Sequence, residues 1–286
     1  MTKAAFVTYH ELPDLTADDR LVLDHLHDRG VETQAVLWDA DDVRWEEFDT
    51  IIMRSCWEYH LRPQAFSAWI EMAAQKGLPL WNPPRVIHWN MDKVHLKSLA
   101  EAGVNVSPAV WLEQGSAVDL EAVLTEHHWT QAVIKPTISM TAFQTWITTP
   151  AQAGPDQAAV EEILKRSGVM VQEFVEEVRT RGEWSFIFFW KTYSHAVLKR
   201  AKQGDFRVQN DFGGYLEKAA PSPSLVEQAQ EIVDSVDEPL LYARVDGIDV
   251  DGTLVLMELE LIDPVLFLSE APHAPQRFAE AIMLTL

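Results

Sequence analysis

The sequence predicts an α/β protein whose last third is richer in strands and has α+β character. Short apolar runs alternate with amphipathic helical patterns over residues 1–90, whereas strand-like runs dominate residues 176–286. A length of 286 residues leaves room for one large domain or for two to three smaller ones. We therefore expect three parts: an N-terminal β/α part over 1–90, a central part over 91–175 and a C-terminal part over 176–286.

The N-terminal part is predicted to be a small doubly wound parallel sheet. Its apolar runs and helical patterns follow one another in turn, and Gly30 and Gly77 stand where the two helices should end. The predicted strands are 4–8, 34–38, 50–53 and 79–81, and the predicted helices are 18–29 and 62–76.

Ligands of such sheets bind beyond the carboxyl ends of the strands, where the polar run 54–60 is expected to lie. Arg54, Ser55, Trp57 and Tyr59 are therefore candidate substrate contacts, and an arginine there would favour a carboxylate-bearing substrate. An ordinary strand-to-helix loop is the alternative, and core packing would explain the aromatic residues equally well.

The other two parts show less regular alternation. In the central part the predicted helices are 91–102, 120–126 and 157–166, and the predicted strands are 109–111, 132–136, 144–147 and 169–174. In the C-terminal part a predicted hairpin precedes a long loop, a helix, a second hairpin and a last helix. The first hairpin comprises 184–191 and 194–199, the loop 200–216 and the following helix 224–236. The second hairpin contains Asp246 and Glu258, and the last helix is 275–283.

Composition narrows the classes of partner. The chain has 44 acidic and 23 basic residues and a net charge of −21, so nucleic acid and anionic membranes are poor partners. The single cysteine, Cys56, excludes an intrachain disulfide and is expected to be a buried, inert thiol. No apolar run approaches the roughly 18 residues of a transmembrane helix and no signal region begins the chain, so we expect a cytoplasmic protein.

Three carboxylates are expected to meet on the second C-terminal hairpin. Asp251-Gly252 is a turn signal between two strand-like runs, and folding there brings Asp246 close to Glu258 and Glu260. Crowded carboxylates repel one another unless a cation lies among them, and hard oxygen ligands suit Mg²⁺. Because Mg²⁺ held by one or two carboxylates usually keeps nucleotide phosphates in its shell, we expect a phosphate-binding site elsewhere in the chain.

Cationic residues at three places could bind those phosphates. Lys135 ends an apolar strand before the hydroxyl-rich loop Thr137–Thr141, which could wrap a phosphate. Lys93 lies in the first turn of the predicted helix 91–102, where a bound anion would offset its unfavourable position at the helix N-terminus. For each lysine, a solvated surface position is the alternative.

A basic loop provides the third group of cations. Four cations occur within residues 199–207, and Arg207 is preferred because a guanidinium matches phosphate geometry. Gly213 and Gly214 would permit close backbone approach. Neither a Gly-x-x-x-x-Gly-Lys loop nor a Gly-x-Gly-x-x-Gly fingerprint is present, which weakens a dinucleotide oxidoreductase as an alternative.

The order of these elements resembles the ATP-grasp superfamily, and in particular the glutathione synthetase ATP-binding-domain-like proteins. The resemblance covers residues from about 80 to 270 and also extends to the ATP-grasp family of D-cycloserine biosynthesis. Two motifs carry it, Lys199…Gly204-Asp-Phe-Arg-Val-Gln…Gly213-Gly214 and Ala243-Arg-Val-Asp…Glu258-Leu-Glu-Leu-Ile-Asp-Pro-Val-Leu-Phe267. It implies an ATP-grasp fold with an N-terminal pre-ATP-grasp domain, a central lid subdomain and a C-terminal subdomain with the metal site.

The resemblance also implies a role for each matching position. Residues implied to bind ATP are Lys93 and Lys135 at the phosphates, Gln172, Glu173, Phe174 and Val175 as the adenine hinge, and Glu183 at the ribose. Arg207 and Lys135 are the implied catalytic residues, and Asp246, Glu258 and Glu260 the implied ligands of Mg²⁺, with two ions expected and Mn²⁺ as an alternative. Lys199, Gly213 and Gly214 join the candidate substrate contacts.

Two positions depart from the family pattern. Glu260 stands where the family usually has Asn, and the loop after Lys135 lacks the usual glycines, so that Thr137–Thr141 is expected to form a different flap.

The leading hypothesis is an ADP-forming carboxylate–amine ligase that acts through an acyl-phosphate on an amino-acid-like or small-peptide substrate. ATP-dependent ring closure within one small molecule is an alternative, and a nucleotide-binding regulator without turnover is another. The oligomeric state stays open, a homodimer being one alternative.

Overall fold

Three β-sheets organise the protein, described by a computed structural model over residues 2–209 and 212–286. Each sheet falls within one of the three parts expected from the sequence, although the division into domains itself stays a prediction. Within the described ranges, no helix is long and apolar enough to cross a bilayer.

The N-terminal sheet is parallel, in the order β2-β1-β3-β4, as the alternation of strands and helices predicts. Its elements are β1 (Thr2–Thr8), α1 (Ala17–His27), β2 (Val31–Leu37), β3 (Thr50–Ser55), α2 (Pro63–Gln75) and β4 (Leu80–Trp81). The Thr16 side chain caps α1 by accepting the Asp19 N–H at 3.0 Å, and Pro63 begins α2.

Both faces of this sheet are buried. On β1, Phe6 shares an apolar cluster with Leu26 of α1 and with Phe278 of the last helix, α9 (Ala274–Met283). Val7 points to the opposite face and shares a second cluster with Phe66 of α2. The sheet is thus covered on both sides, with α9 from the end of the chain completing one of its helical layers.

The central part contains an antiparallel sheet in the order β5-β8-β6-β7. It follows α3 (Pro84–Asn90), which ends the N-terminal part. Its elements are α4 (His95–Glu101), β5 (Ala109–Leu112), α5 (Leu120–Glu126), β6 (Ala132–Pro136), β7 (Trp146–Thr148), α6 (Ala153–Leu164) and β8 (Val169–Glu173).

The prediction of one helix over 91–102 is wrong at its start, because α3 ends at Asn90 and the helix in this region, α4, begins only at His95. Asp92 interrupts the helix: its side chain accepts the Val94 N–H at 2.9 Å and its carbonyl accepts the His95 N–H at 3.1 Å. Lys93 therefore lies in the turn before α4 rather than in the first turn of a helix.

The C-terminal sheet is antiparallel, in the order β11-β10-β9-β12-β13. Its elements are α7 (Glu177–Arg181), β9 (Glu183–Phe189), β10 (Thr192–Arg200), β11 (Tyr215–Glu217), α8 (Pro223–Asp234), β12 (Tyr242–Val250) and β13 (Thr253–Glu260), followed by α9. The sequence pattern predicts both hairpins but neither α7 nor the short strand β11.

Asn82 joins the end of the N-terminal sheet to the C-terminal part. Its side-chain amide donates to the carbonyls of Tyr242 and Leu261 at 2.9 and 2.7 Å, while its oxygen accepts the Leu241 N–H at 2.7 Å. Asn82 is fully buried. One side chain thus bonds to three buried main-chain groups.

We expect Asn82→Ala to lower the free energy of unfolding by roughly 3 kcal/mol, because it leaves three buried polar groups unpaired. Urea denaturation measures this change. Asn105→Ala is the matched control, since this exposed residue makes one partly buried side-chain hydrogen bond, to Leu254, and its loss should cost less than about 1 kcal/mol. Equal destabilisation by the two variants would contradict the role given to Asn82.

Candidate active site

A cavity of about 460 Å³ lies where residues of all three parts meet. It is lined by most of the residues singled out from the sequence. These are Trp57, Tyr59, Lys93, Lys135, Gln172, Glu173, Phe174, Val175, Glu183, Lys199, Arg207, Asp246, Glu258 and Glu260. Arg54, Ser55, Gly213 and Gly214 are not among the residues that line it.

The hairpin β12–β13 brings the three carboxylates together as expected. Asp251 and Gly252 form its turn with φ of 51° and 87°, the left-handed conformation that a two-residue turn of this kind requires. Asp246 pairs in register with Glu258, and one oxygen from each of Asp246, Glu258 and Glu260 lies within 4.8 Å of the others.

Glu258 is neutralised by lysines from the central part. The ammonium groups of Lys93 and Lys135 lie 3.7 and 3.5 Å from its carboxylate. Burial opposes ionisation of Glu258, but these two cations outweigh it and lower the pKa of its carboxyl. Burial also lowers the pKa of Lys135. The phosphate-binding candidates and the metal-binding candidates therefore contact one another directly.

A second group of charges adjoins the first. Lys199 lies 2.5 Å from Glu183 and 3.3 Å from Asp246, while the Arg244 guanidinium lies 3.0 Å from Asp246 and 2.6 Å from Glu260. Burial raises the pKa of Asp246, but Arg244 and Lys199 outweigh it, so that this pKa lies below its ordinary value.

The carboxylates fit a divalent cation. Burial, together with the charges of Asp246 and Glu258, raises the pKa of Glu260 to about 8 despite the nearby Arg244. The direction of this shift follows from three acids that share one buried space. An all-oxygen ligand set of this kind suits Mg²⁺ or Mn²⁺. Glu260 offers a carboxylate oxygen at the position where the ATP-grasp pattern usually has an asparagine.

The basic loop is held mainly by its own residues. The Arg207 guanidinium lies 2.8 Å from Asp205 and 3.7 Å from the centre of the Phe212 ring, at the edge of the cavity. A Cβ atom on Gly214 would lie 2.1 Å from the Val208 carbonyl oxygen, so this glycine permits the loop to pack on itself rather than on a ligand. Asn210 and Asp211 of the predicted loop lie outside the described residues.

Arg54 and Ser55 are placed at the junction between the parts and not in the cavity. The Arg54 guanidinium is 1% exposed, lies 2.8 Å from Asp19 and donates to the Pro264 carbonyl at 2.8 Å. The Ser55 hydroxyl donates to the same Asp19 at 3.1 Å. These side chains are fully committed to the protein, so the expectation that Arg54 meets a substrate carboxylate does not hold.

The loop after Lys135 uses its hydroxyls internally. Thr137 donates to Asp92 at 3.3 Å, and Ser139 donates to the Pro136 carbonyl at 3.0 Å. The Lys93 ammonium also donates to the Ser139 carbonyl at 2.7 Å, which ties the loop to the charge cluster. The loop thus helps to position Lys93. Because Ser139 and Thr141 also line the cavity, the wrapping of a phosphate by this loop stays a prediction.

The predicted hinge offers hydrogen-bonding groups to the cavity. The Gln172 side chain is fully buried, and neither its amide nitrogen nor its amide oxygen has a partner in the part of the chain that the structure describes. The N–H groups of Glu173 and Phe174 bond to the carbonyls of Pro108 and Gln131. An unpaired buried amide is costly, so its retention points to a ligand that completes it.

Two residues of the site received no role from the sequence. Arg244 lies two residues before Asp246 on the same face of β12, a spacing that could have indicated it. Asp263, three residues beyond Glu260, is 2% exposed and lines the same cavity. Nothing in its sequence context distinguishes it from a surface acid after a strand.

Comparison with known sequences identifies related proteins. Residues 4–82 match a family model described as the N-terminal domain of D-cycloserine synthetase DcsG. The chain is 28% identical over 268 residues to the cycloserine biosynthesis protein DcsG of Streptomyces lavendulae, a match that covers 88% of each chain.

Solved structures share the whole fold. The crystal structure of D-cycloserine synthetase DcsG matches with a TM-score of 0.85 and 27% identity over 98% of both chains. The D-alanine–D-alanine ligase from Bacillus anthracis matches with a TM-score of 0.73 and 13% identity, over 100% of this chain and 97% of that one. The chain therefore belongs to the ATP-grasp superfamily and is an ATP-grasp ligase.

Proposed function

We propose that the protein is an ADP-forming ligase that activates a carboxylate of an amino-acid-like substrate as an acyl-phosphate, which an amine then captures. One observation carries the proposal: a single cavity holds three carboxylates that could bind a metal ion, together with Lys93, Lys135 and Arg207. Phosphoryl transfer needs positioning and charge neutralisation rather than covalent catalysis by the protein, and these groups supply both.

The nucleotide would lie between the central and C-terminal sheets. Lys93 and Lys135 would bind its phosphates in exchange for their present contacts with Glu258. The Gln172 amide would complete its hydrogen bonds on adenine, whose N6 donor and N7 acceptor match an amide side chain. Glu183, now paired with Lys199, would accept the ribose hydroxyls.

Asp246, Glu258 and Glu260 would hold Mg²⁺, which when bound supplies positive charge to the phosphates. Arg244 stays beside these ligands through Asp246 and Glu260, so its guanidinium can orient the substrate carboxylate and stabilise charge on the transferred phosphoryl group. Arg207 lies at the edge of the cavity and would reach the same group by leaving Asp205.

The similarity to DcsG supports a second form of the same chemistry. In that form the amine that captures the acyl-phosphate belongs to the same molecule, and the product is a ring. Mass spectrometry of the product distinguishes a cyclised molecule from a joined pair.

We expect Glu258→Gln to reduce turnover on the order of 10²–10³-fold, because it removes a metal ligand and the shared partner of two lysines. The measurement is ADP release from ATP and Mg²⁺ with a panel of single amino acids and amino-acid pairs. Glu162→Gln, on an exposed residue of α6, is the control and should leave the rate unchanged. Near-normal turnover of Glu258→Gln would contradict the metal assignment.

We expect Gln172→Leu to have opposite effects on stability and on nucleotide binding. Removing a buried amide without partners should stabilise the free protein by roughly 1 kcal/mol, whereas the affinity for ATP should fall about tenfold. Thermal unfolding and calorimetric titration with ATP measure the two quantities. The exposed Gln114→Leu should change neither, and unaltered ATP affinity of Gln172→Leu would remove the side chain from the adenine site.

A further inference from the structure

Asp263 presents a carboxylate oxygen to the cavity from a buried position. Its Oδ2 accepts the Cys56 N–H at 2.7 Å, whereas its Oδ1 has no hydrogen-bond partner among residues 2–209 and 212–286. The residue is 2% exposed and lines the cavity together with Trp57 and Phe267. It stands on the irregular segment that follows β13, outside the group of three metal-binding carboxylates.

The segment that carries Asp263 is held in place along its whole length. Seven consecutive main-chain carbonyls, from Leu261 to Phe267, accept hydrogen bonds from side chains of other elements. The donors, in order, are Asn82, Tyr242, Trp57, Arg54, Arg244 and, for the last two carbonyls, His195. Because the backbone cannot shift without breaking these bonds, the position of the Asp263 carboxylate is fixed before any ligand binds.

Asp263 and Glu173 are the acids of the cavity for which no cationic partner is described, and of the two only Asp263 is buried. Glu183, Asp246, Glu258 and Glu260 each lie within 4 Å of a lysine or an arginine, but no described cation lies within that distance of Asp263. Arg54, which is close enough to influence it, is committed to Asp19 and Pro264. Burial is the largest cause that raises the pKa of Asp263 to about 7. A buried carboxyl of this kind would be stabilised by a cation that a ligand brings.

We propose that Asp263 binds the protonated amino group of the substrate and thereby selects amino acids over carboxylic acids that lack the amine. This inference rests on the proposed function, since it assigns the substrate side of the same cavity. Arg244 lies between the metal-binding candidates and the segment that carries Asp263. Its guanidinium contacts Glu260 and donates to the Val265 carbonyl at 3.2 Å. A substrate whose ammonium meets Asp263 thus has its carboxylate directed toward Arg244, where activation is proposed to occur.

The test uses Asp263→Asn, because the asparagine oxygen can still accept the Cys56 N–H while the charge is lost. The probes are D-alanine and D-serine, each compared with the acid that lacks only the amino group, propionate and 3-hydroxypropionate. Binding is measured by calorimetry in the presence of Mg²⁺ and ADP. We expect the wild-type protein to bind the amino acids at least about tenfold more tightly than their partners, and Asp263→Asn to lose this preference.

Controls separate this role from a structural one. Glu270→Gln removes an exposed acid seven residues further along the chain and should keep the preference. Asp263→Asn should keep the wild-type melting temperature and ATP affinity. Equal binding of both members of each pair by the wild-type protein, no binding of any probe, or an unchanged preference in Asp263→Asn would each overturn the inference.

The outcome is independent of the test of the proposed function. If the preference depends on Asp263 but no substrate supports ADP release, the proposed activation of an amino-acid-like substrate fails and the amine site remains. If ADP release occurs with amino acids and with their amine-free partners alike, the ligase proposal stands and the assignment of Asp263 is wrong.

Discussion

Buried charge compensation between two parts of the chain is the constraint on which the structure of the site depends. Lys93 and Lys135 come from the central part, whereas Glu258, which they contact, comes from the C-terminal hairpin. Neither set could be buried alone, because an unpaired charge in the interior costs several kcal/mol. The pairing therefore aligns the central sheet with the C-terminal sheet and opens the cavity at their junction, with Arg244 neutralising the remaining acids.

The same pairing of charges determines which ligands can bind in the cavity. Lys93 and Lys135 already pair with Glu258. A phosphate group can therefore bind these lysines only if another cation pairs with Glu258. A nucleotide accompanied by a divalent cation satisfies both sides at once, whereas either ligand alone leaves charges unpaired. On this argument the nucleotide and the divalent cation should bind cooperatively.

The sequence predicts those features that depend on neighbours along the chain. The alternation of strands and helices gives the parallel N-terminal sheet, and the turn at Asp251 with the two-residue spacing of Glu258 and Glu260 gives the acidic hairpin. Features that depend on distant partners could not be predicted. Arg54 looks like a ligand-binding residue at a strand end, yet its partners are Asp19, 35 positions away, and Pro264, 210 positions away. Whether Arg54 can meet a ligand depends on side-chain hydrogen bonds to distant residues, and the hydrophobic periodicity of the sequence does not reveal these bonds.

In the segment from Leu261 to Phe267, the backbone is fixed by other parts of the chain, whereas several side chains face the cavity. Its shape is specified by residues elsewhere in the chain, such as Asn82 and His195, which bind its carbonyls whatever side chains the segment carries. Residues 262, 263, 265 and 267 also line the cavity. New substrate preferences could thus evolve there by single substitutions, without the loop remodelling that a change of specificity usually demands. This wall is accordingly the natural position for a library of redesigned ligases.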